Sequence, residues 1–130
     1  MTATQHTGPP SGSQTTLRAA WQREREAARK ARTTGDRAEE WRRLERAHIL
    51  SQPLAGPHLR THALMLAAAA RRRDGREMLG QLLRFALALP GSLSGRYPVG
   101  NTGGADVSAF TPMAIPEDLR PFLPVTGGEG

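Results

Sequence analysis

Three of the four histidines in this sequence, His48, His58 and His62, fall within one short window, while His6 stands apart near the amino terminus. Imidazole is a ligand for zinc, copper, nickel and iron, and three histidines with one open position form a familiar metal-binding geometry. His58 and His62 are four residues apart, so a helix carries them on one face. His48 precedes them across the break Gln52-Pro53-Leu54-Ala55-Gly56, and a connection that short joins antiparallel helical neighbours. With a rise of about 1.5 Å per residue on each side of the turn, the three rings lie at overlapping heights and can converge on one point. Glu45, three residues before His48, adds a Glu-x-x-His spacing that sets carboxylate and imidazole on one helical face in di-metal bundles. It is either a fourth ligand or the acceptor that orients one of the rings. Gln52 and Met65 are weaker candidates. The competing reading is structural hydrogen bonding, because a His-x-x-x-His pair also arises by chance.

Other chemistry finds little support. There is no cysteine, which excludes disulfides, thiolate metal sites and a cysteine nucleophile. No serine sits in a nucleophile elbow, no diagnostic catalytic motif is present, and no organic cofactor is expected. The amino-terminal stretch lacks the basic start and apolar run of a signal peptide. The longest apolar run, Ala63 to Ala70, falls far short of the roughly 20 residues of a membrane span. A cytoplasmic location is the expectation. The net charge is +6, almost all of it on arginine, since Lys30 is the sole lysine. A basic balance suits acidic partners. The groups Arg42, Arg43, Arg46 and Arg71, Arg72, Arg73, Arg76 nevertheless read as solvated helix faces, because aromatic interleaving and a nucleic-acid motif are lacking. The segment Gly100-Asn101-Thr102-Gly103-Gly104 lacks the lysine and following helix of a phosphate loop, and reads as a turn.

The elements that must position the histidines follow from composition and periodicity. Residues 1–15, rich in Thr, Ser, Gly, Pro and Gln, have too little apolar surface to order and are expected as a disordered tail. A first helix is expected from Thr16 to Arg32, with Leu17, Trp21 and Ala28 along one side. Asp36 caps a second, running to about Leu50, with Trp41, Leu44, His48 and Leu50 at helical spacing. The third, His58 to about Arg73, carries Leu59, His62, Ala63, Leu66 and Ala70 as its packed stripe. The fourth, Arg76 to Leu89, carries Met78, Leu82, Phe85, Ala86 and Leu89, and Pro90-Gly91 should end it. Residues 16–90 thus form a helical domain. Residues 91–124 are expected as an extended arm lying on the helices, with a helical turn at Pro116 to Arg120 and a loose tail at 125–130.

A weak internal repeat, in which Gly35-Asp36 and Asp74-Gly75 each open a helix and Pro53 corresponds to Pro90, supports two helical hairpins. The first hairpin, with Gly35-Asp36, Ala38, Leu44, Ala47 and Pro53, resembles a tetratricopeptide repeat. The stretches LERAHILSQPLAGPHLRTHALML, RRRDGREMLGQLLR and PVGNTGGADVSAFTPMAIPEDL together resemble a bacterial family of short proteins, domain-of-unknown-function family 3703, over roughly Leu17 to Leu123. The resemblance implies a bacterial origin and no established activity. It also implies that Glu45, His48, His58, His62 and the Asn101-Thr102-Gly103-Gly104 turn belong to a family pattern.

The sequence therefore predicts an all-α protein of four helices in two stacked tetratricopeptide-like hairpins with an extended carboxy-terminal arm. Its leading function is transition-metal binding, zinc or copper, through His48, His58 and His62 assisted by Glu45. The alternative is a metal-free module of tetratricopeptide-like hairpins that binds a protein partner or a second protomer.

Overall fold

The computed structural model describes residues 11–105 and 111–124, with the side chains of 11–15 and Leu89 left out of account. Of the expected tail over 1–15, residues 1–10 lie outside the described residues and 11–15 fall within the first helix; the tail 125–130 and Val107 and Phe110 of the expected arm also lie outside the described residues.

Four helices, α1 (Ser11–Thr33), α2 (Arg37–Ser51), α3 (Ala55–Arg71) and α4 (Gly75–Ser94), are followed by an irregular segment and a 3₁₀ turn, Glu117–Phe122. No strand occurs among the described residues. The helices pack as two hairpins, α1 with α2 and α3 with α4, and α2 lies against α3. Helix α1 starts ahead of the expected Thr16 cap, at the first residue after Pro9-Pro10. Asp36 and Asp74 cap α2 and α4 as their acceptor chemistry requires, taking the backbone N–H of Glu39 and of Glu77, each at 3.0 Å.

Helix α1 buries Leu17, Ala20, Trp21 and Ala28, one of every three or four residues. Leu17, Ala20 and Trp21, with Ala47, Ile49, Leu50 and Leu54, make an apolar core that Leu119 of the 3₁₀ turn closes. A second cluster, Ala28, Leu44, Met65 and Ala68, joins the hairpins, with Trp41 packed against it. Met65 is therefore core. Trp21 Nε1 donates to Thr61 Oγ1 at 2.9 Å, tying α1 to α3. Arg42, Arg43 and Arg46 of α2 are engaged within the chain. Arg42 and Arg43 pair with Glu39, Arg43 and Arg46 with Glu24, and Arg46 also holds Asp118 of the 3₁₀ turn. Arg71 pairs with Glu40, and Arg72 lies over the Trp41 ring.

The second hairpin departs from the sequence reading in three ways. Helix α4 does not stop at Pro90 but continues to Ser94, where Gly95 closes it in the left-handed conformation. Proline forfeits one intrahelical hydrogen bond there, and it does so at an exposed position. The buried face of α3 is His58, Thr61, His62, Met65, Ala68 and Ala69, whereas Ala63 and Ala70 of the expected stripe are exposed. On α4 the burial is inverted. Glu77, Gln81, Arg84 and Ala88 are buried, while Leu82 and Phe85 of the expected core face are open to solvent. The apolar stripe was a correct periodicity assigned to the wrong side.

Candidate metal centre

His48 sits in the last turn of α2, and His58 and His62 sit in the first two turns of α3, on either side of the tight connection. All three rings are buried and face one another, with centroids 4.6 to 5.0 Å apart. His48 Nε2 lies 3.1 Å from His62 Nε2 and 3.1 Å from His58 Nε2. The ligand atoms of the three lie within 4.8 Å of one another. Glu45 is not drawn into that group. It is half-buried on α2, and none of the three Nδ1 partners described next is its carboxylate.

Those partners fix the protonation of every ring. His48 Nδ1 lies 2.6 Å from the Asn101 carbonyl oxygen, which can only accept, so His48 carries its proton on Nδ1. Ser92 Oγ donates its single proton to the Gln52 carbonyl at 2.8 Å, which leaves it an acceptor for His58 Nδ1–H at 2.7 Å. Gln81 Nε2 donates to Glu77 at 2.6 Å and to the Gly103 carbonyl at 2.7 Å. Its amide is thereby oriented with Oε1 as the acceptor for His62 Nδ1–H at 2.7 Å. Each neutral imidazole must then present an Nε2 lone pair. Three lone pairs converge with no proton to share between them.

A proton cannot relieve this cheaply. Burial, followed by the neighbouring His62 and His58, holds His48 well below the usual imidazole range, against the opposing pull of the Asn101 carbonyl. Burial and then His62 push His58 down to about 3. Burial lowers His62 to about 4, with Arg84 adding to the effect and the Gln81 hydrogen bond opposing it. The rings are neutral at neutral pH.

The supports come from two parts of the chain. Helix α4 supplies Glu77, Gln81 and Ser92, the last of which exists as a partner because the helix runs past Pro90. The irregular segment supplies Asn101 and Gly103. Asn101 is buried, its Nδ2 donating to the Thr111 carbonyl at 2.7 Å and its Oδ1 accepting Gly103 N–H at 2.9 Å. Gly103 has φ +82°, and a Cβ there would come within 2.7 Å of the His48 ring, so only glycine lets the backbone lie this close. Glu77 also accepts the Ala105 N–H, which ties the segment to α4. Beside the rings lies a cavity of about 250 Å³, walled by Arg84, Leu87, Ala88 and Pro90 of α4 and by Arg96 and Tyr97 beyond it. Gln52 lines the cavity and donates to the Pro98 carbonyl at 2.8 Å.

A family model described as a protein of unknown function, DUF3703, matches residues 15–123. The chain belongs to that family. No curated protein and no solved structure matches it. Membership covers the rings and all their supports, from Trp21 to the 3₁₀ turn. Sequence reasoning found the three histidines and the Gly100–Gly104 turn but missed Gln81, Ser92 and Arg84. Their signal was a polar series on α4 at helical spacing, Glu77, Gln81 and Arg84, inside an otherwise leucine-rich segment.

Proposed function

We propose that this protein binds a transition metal ion, zinc or copper, through Nε2 of His48, His58 and His62, with the fourth position open to the adjoining cavity. The observation that carries the reading is the convergence of three buried lone pairs whose opposite nitrogens are all committed as donors. A tetrahedral ion held at about 2.0–2.1 Å from each nitrogen separates the nitrogens by roughly 3.3 Å, close to the 3.1 Å found for two of the pairs. Acceptors that fix the tautomer and orientation of ligating imidazoles are part of such centres. Here the Asn101 carbonyl, Ser92 and Gln81 take the orienting part that spacing offered to Glu45.

The experiment is elemental analysis of the purified chain after exposure to zinc and to copper, followed by dialysis. Near-stoichiometric metal is expected in the native sequence and none in the His58→Ala, His62→Ala double variant. Metal retained by the double variant, or never bound by the native chain, removes the reading.

A second reading, a protein-interaction module, is favoured by one specific observation. Leu79, Leu83 and Leu93 of α4 are 71%, 62% and 73% exposed, and several large apolar side chains left open on one helix are a feature of contact sites. No helix among the described residues is long and apolar enough to cross a membrane. Sedimentation of the native chain against a Leu79→Glu, Leu83→Glu variant tests self-association directly.

A further inference from the structure

The cavity beside the three histidines has a composition of its own. Among the described residues no carboxylate lines it, whereas Arg84, buried on α4, and Arg96, exposed beyond it, do. Three neutral imidazoles leave the full positive charge of a bound divalent ion, and Arg84 faces the same space. A cation held by neutral ligands beside a guanidinium draws an anion into the remaining coordination position. Leu87, Ala88, Pro90 and the half-buried Tyr97 give the wall an apolar stretch, beside the polar Gln52, Ser94 and Asn101. Inorganic anions lose hydration against such a wall without recompense. A volume of about 250 Å³ exceeds the roughly 150 Å³ that accommodates benzene, enough for one ring or a short chain bearing a polar head.

Resting on the metal reading above, we infer that this cavity is a binding site for a small organic carboxylate. One carboxylate oxygen occupies the open position of the ion, the Arg84 guanidinium holds the other, and the apolar part lies against Leu87, Ala88 and Pro90. Arg96, exposed at the outer side, adds attraction for the incoming anion. Specificity follows from the paired requirement for charge and for apolar contact.

Cobalt(II) is the probe, because its visible absorption reports both occupation of the three-histidine centre and any change in the fourth ligand. The cobalt-loaded native chain is titrated with benzoate, with benzamide as its neutral counterpart, and with inorganic phosphate. Benzoate is expected to shift the cobalt bands saturably, benzamide to leave them unchanged, and phosphate to act only at far higher concentration. In the cobalt-loaded Arg84→Met protein the benzoate midpoint should rise roughly tenfold to a hundredfold, as for loss of a hydrogen bond to a charged group. Arg84→Lys, which keeps the charge, should recover part of that loss. Cobalt bands that ignore benzoate, or respond equally to phosphate or benzamide, overturn the carboxylate site while leaving the metal reading intact. Failure of the native chain to take up cobalt, together with failure to take up zinc or copper, overturns both. Should Arg84→Met not fold, the benzoate and benzamide comparison on the native protein decides alone.

Discussion

The two helical hairpins of this protein are built on opposite rules. The α1–α2 pair buries Leu17, Trp21, Leu44 and Leu50, and its buried carboxylates Glu24 and Glu40 are met by partly exposed arginines, Arg43, Arg46 and Arg71. The α3–α4 pair buries His58, His62, Gln81, Glu77 and Arg84 and turns leucines outward. Burial of apolar area, at about 25 cal/mol per Å², favours rotating α4 so that Leu79 and Leu83 face inward. The opposite orientation persists because the polar stripe is a connected network, in which Glu77 orients Gln81 and Gln81 orients His62. A buried polar group left without a partner costs more than a lost apolar contact gains. The comparison teaches where stability is made and where chemistry is held: the first hairpin is the scaffold, and the second is bent to the service of three rings.

The largest expected effects separate the hairpins directly. Leu50 is fully buried and Leu83 is 62% exposed. Leu50→Ala should cost roughly 2 to 5 kcal/mol of unfolding free energy, whereas Leu83→Ala should stay within about 0.5 kcal/mol. Urea denaturation of both variants measures this, and similar costs at the two sites would erase the distinction between them.

Acid should weaken the second hairpin first. His58 and His62 are pushed down to about 3 and about 4, so in the metal-free chain they stay neutral when folded but gain protons when unfolded. The unfolded state binds more protons as pH falls below about 6.5, and the associated stability, fully present above that pH, is lost towards the folded values. Between pH 7 and 5 each such histidine removes on the order of 2 kcal/mol. Glu39 of the first hairpin titrates elsewhere, held at about 2 by hydrogen bonds from Arg42 and then Arg43, whereas His48 at the end of α2, pushed down by burial, acts in the same direction as the other two histidines. A shallower pH slope in His62→Gln supports the assignment, and a native chain whose stability is flat over this window contradicts it.

Legibility followed the range of the interaction. Asp36 and Asp74 were readable as caps because a cap acts three residues away. The histidines were readable because a short turn and a four-residue spacing fix their proximity. The orientation of α4 was not readable, because its leucines gave a genuine apolar period and only long-range partners, His62 for Gln81 and His58 for Ser92, reveal that the polar side is the inner one. Ser92 was hidden further by Pro90, whose usual effect on helices was outweighed here. The Gly100–Gly104 turn was legible as a turn, but nothing local says that Gly103 lies on His48. Gly103→Ala tests that contact. With its Cβ 2.7 Å from the ring and φ at +82°, the variant should lose about 1 to 3 kcal/mol and bind zinc more weakly in a chelator competition. Gly56→Ala, where a Cβ meets nothing within 4 Å, should do neither.

The smallest effect concerns the turn that the two hairpins share. Ahead of Asp36, Gly35 N–H bonds the Arg32 carbonyl and Asp36 N–H bonds the Ala31 carbonyl; ahead of Asp74, Arg73 N–H bonds Ala70 and Asp74 N–H bonds Ala69. The same helix-ending geometry is thus used twice, with the left-handed position at φ 75° in Gly35 and φ 54° in Arg73. Glycine adopts that conformation without the Cβ clash that a side chain incurs. Arg73→Gly relieves the clash but adds freedom to the unfolded chain, so the net gain should be modest, about 0.5 kcal/mol. Urea unfolding of the metal-free protein measures it, and a loss of stability would show that the Arg73 side chain contributes more than its strained backbone costs. Because the turn lies at the far end of α3 from His58 and His62, metal content should not change. A change in both would mean that the ends of the second hairpin are coupled, and that its polar interior is sensitive to α4 as a whole.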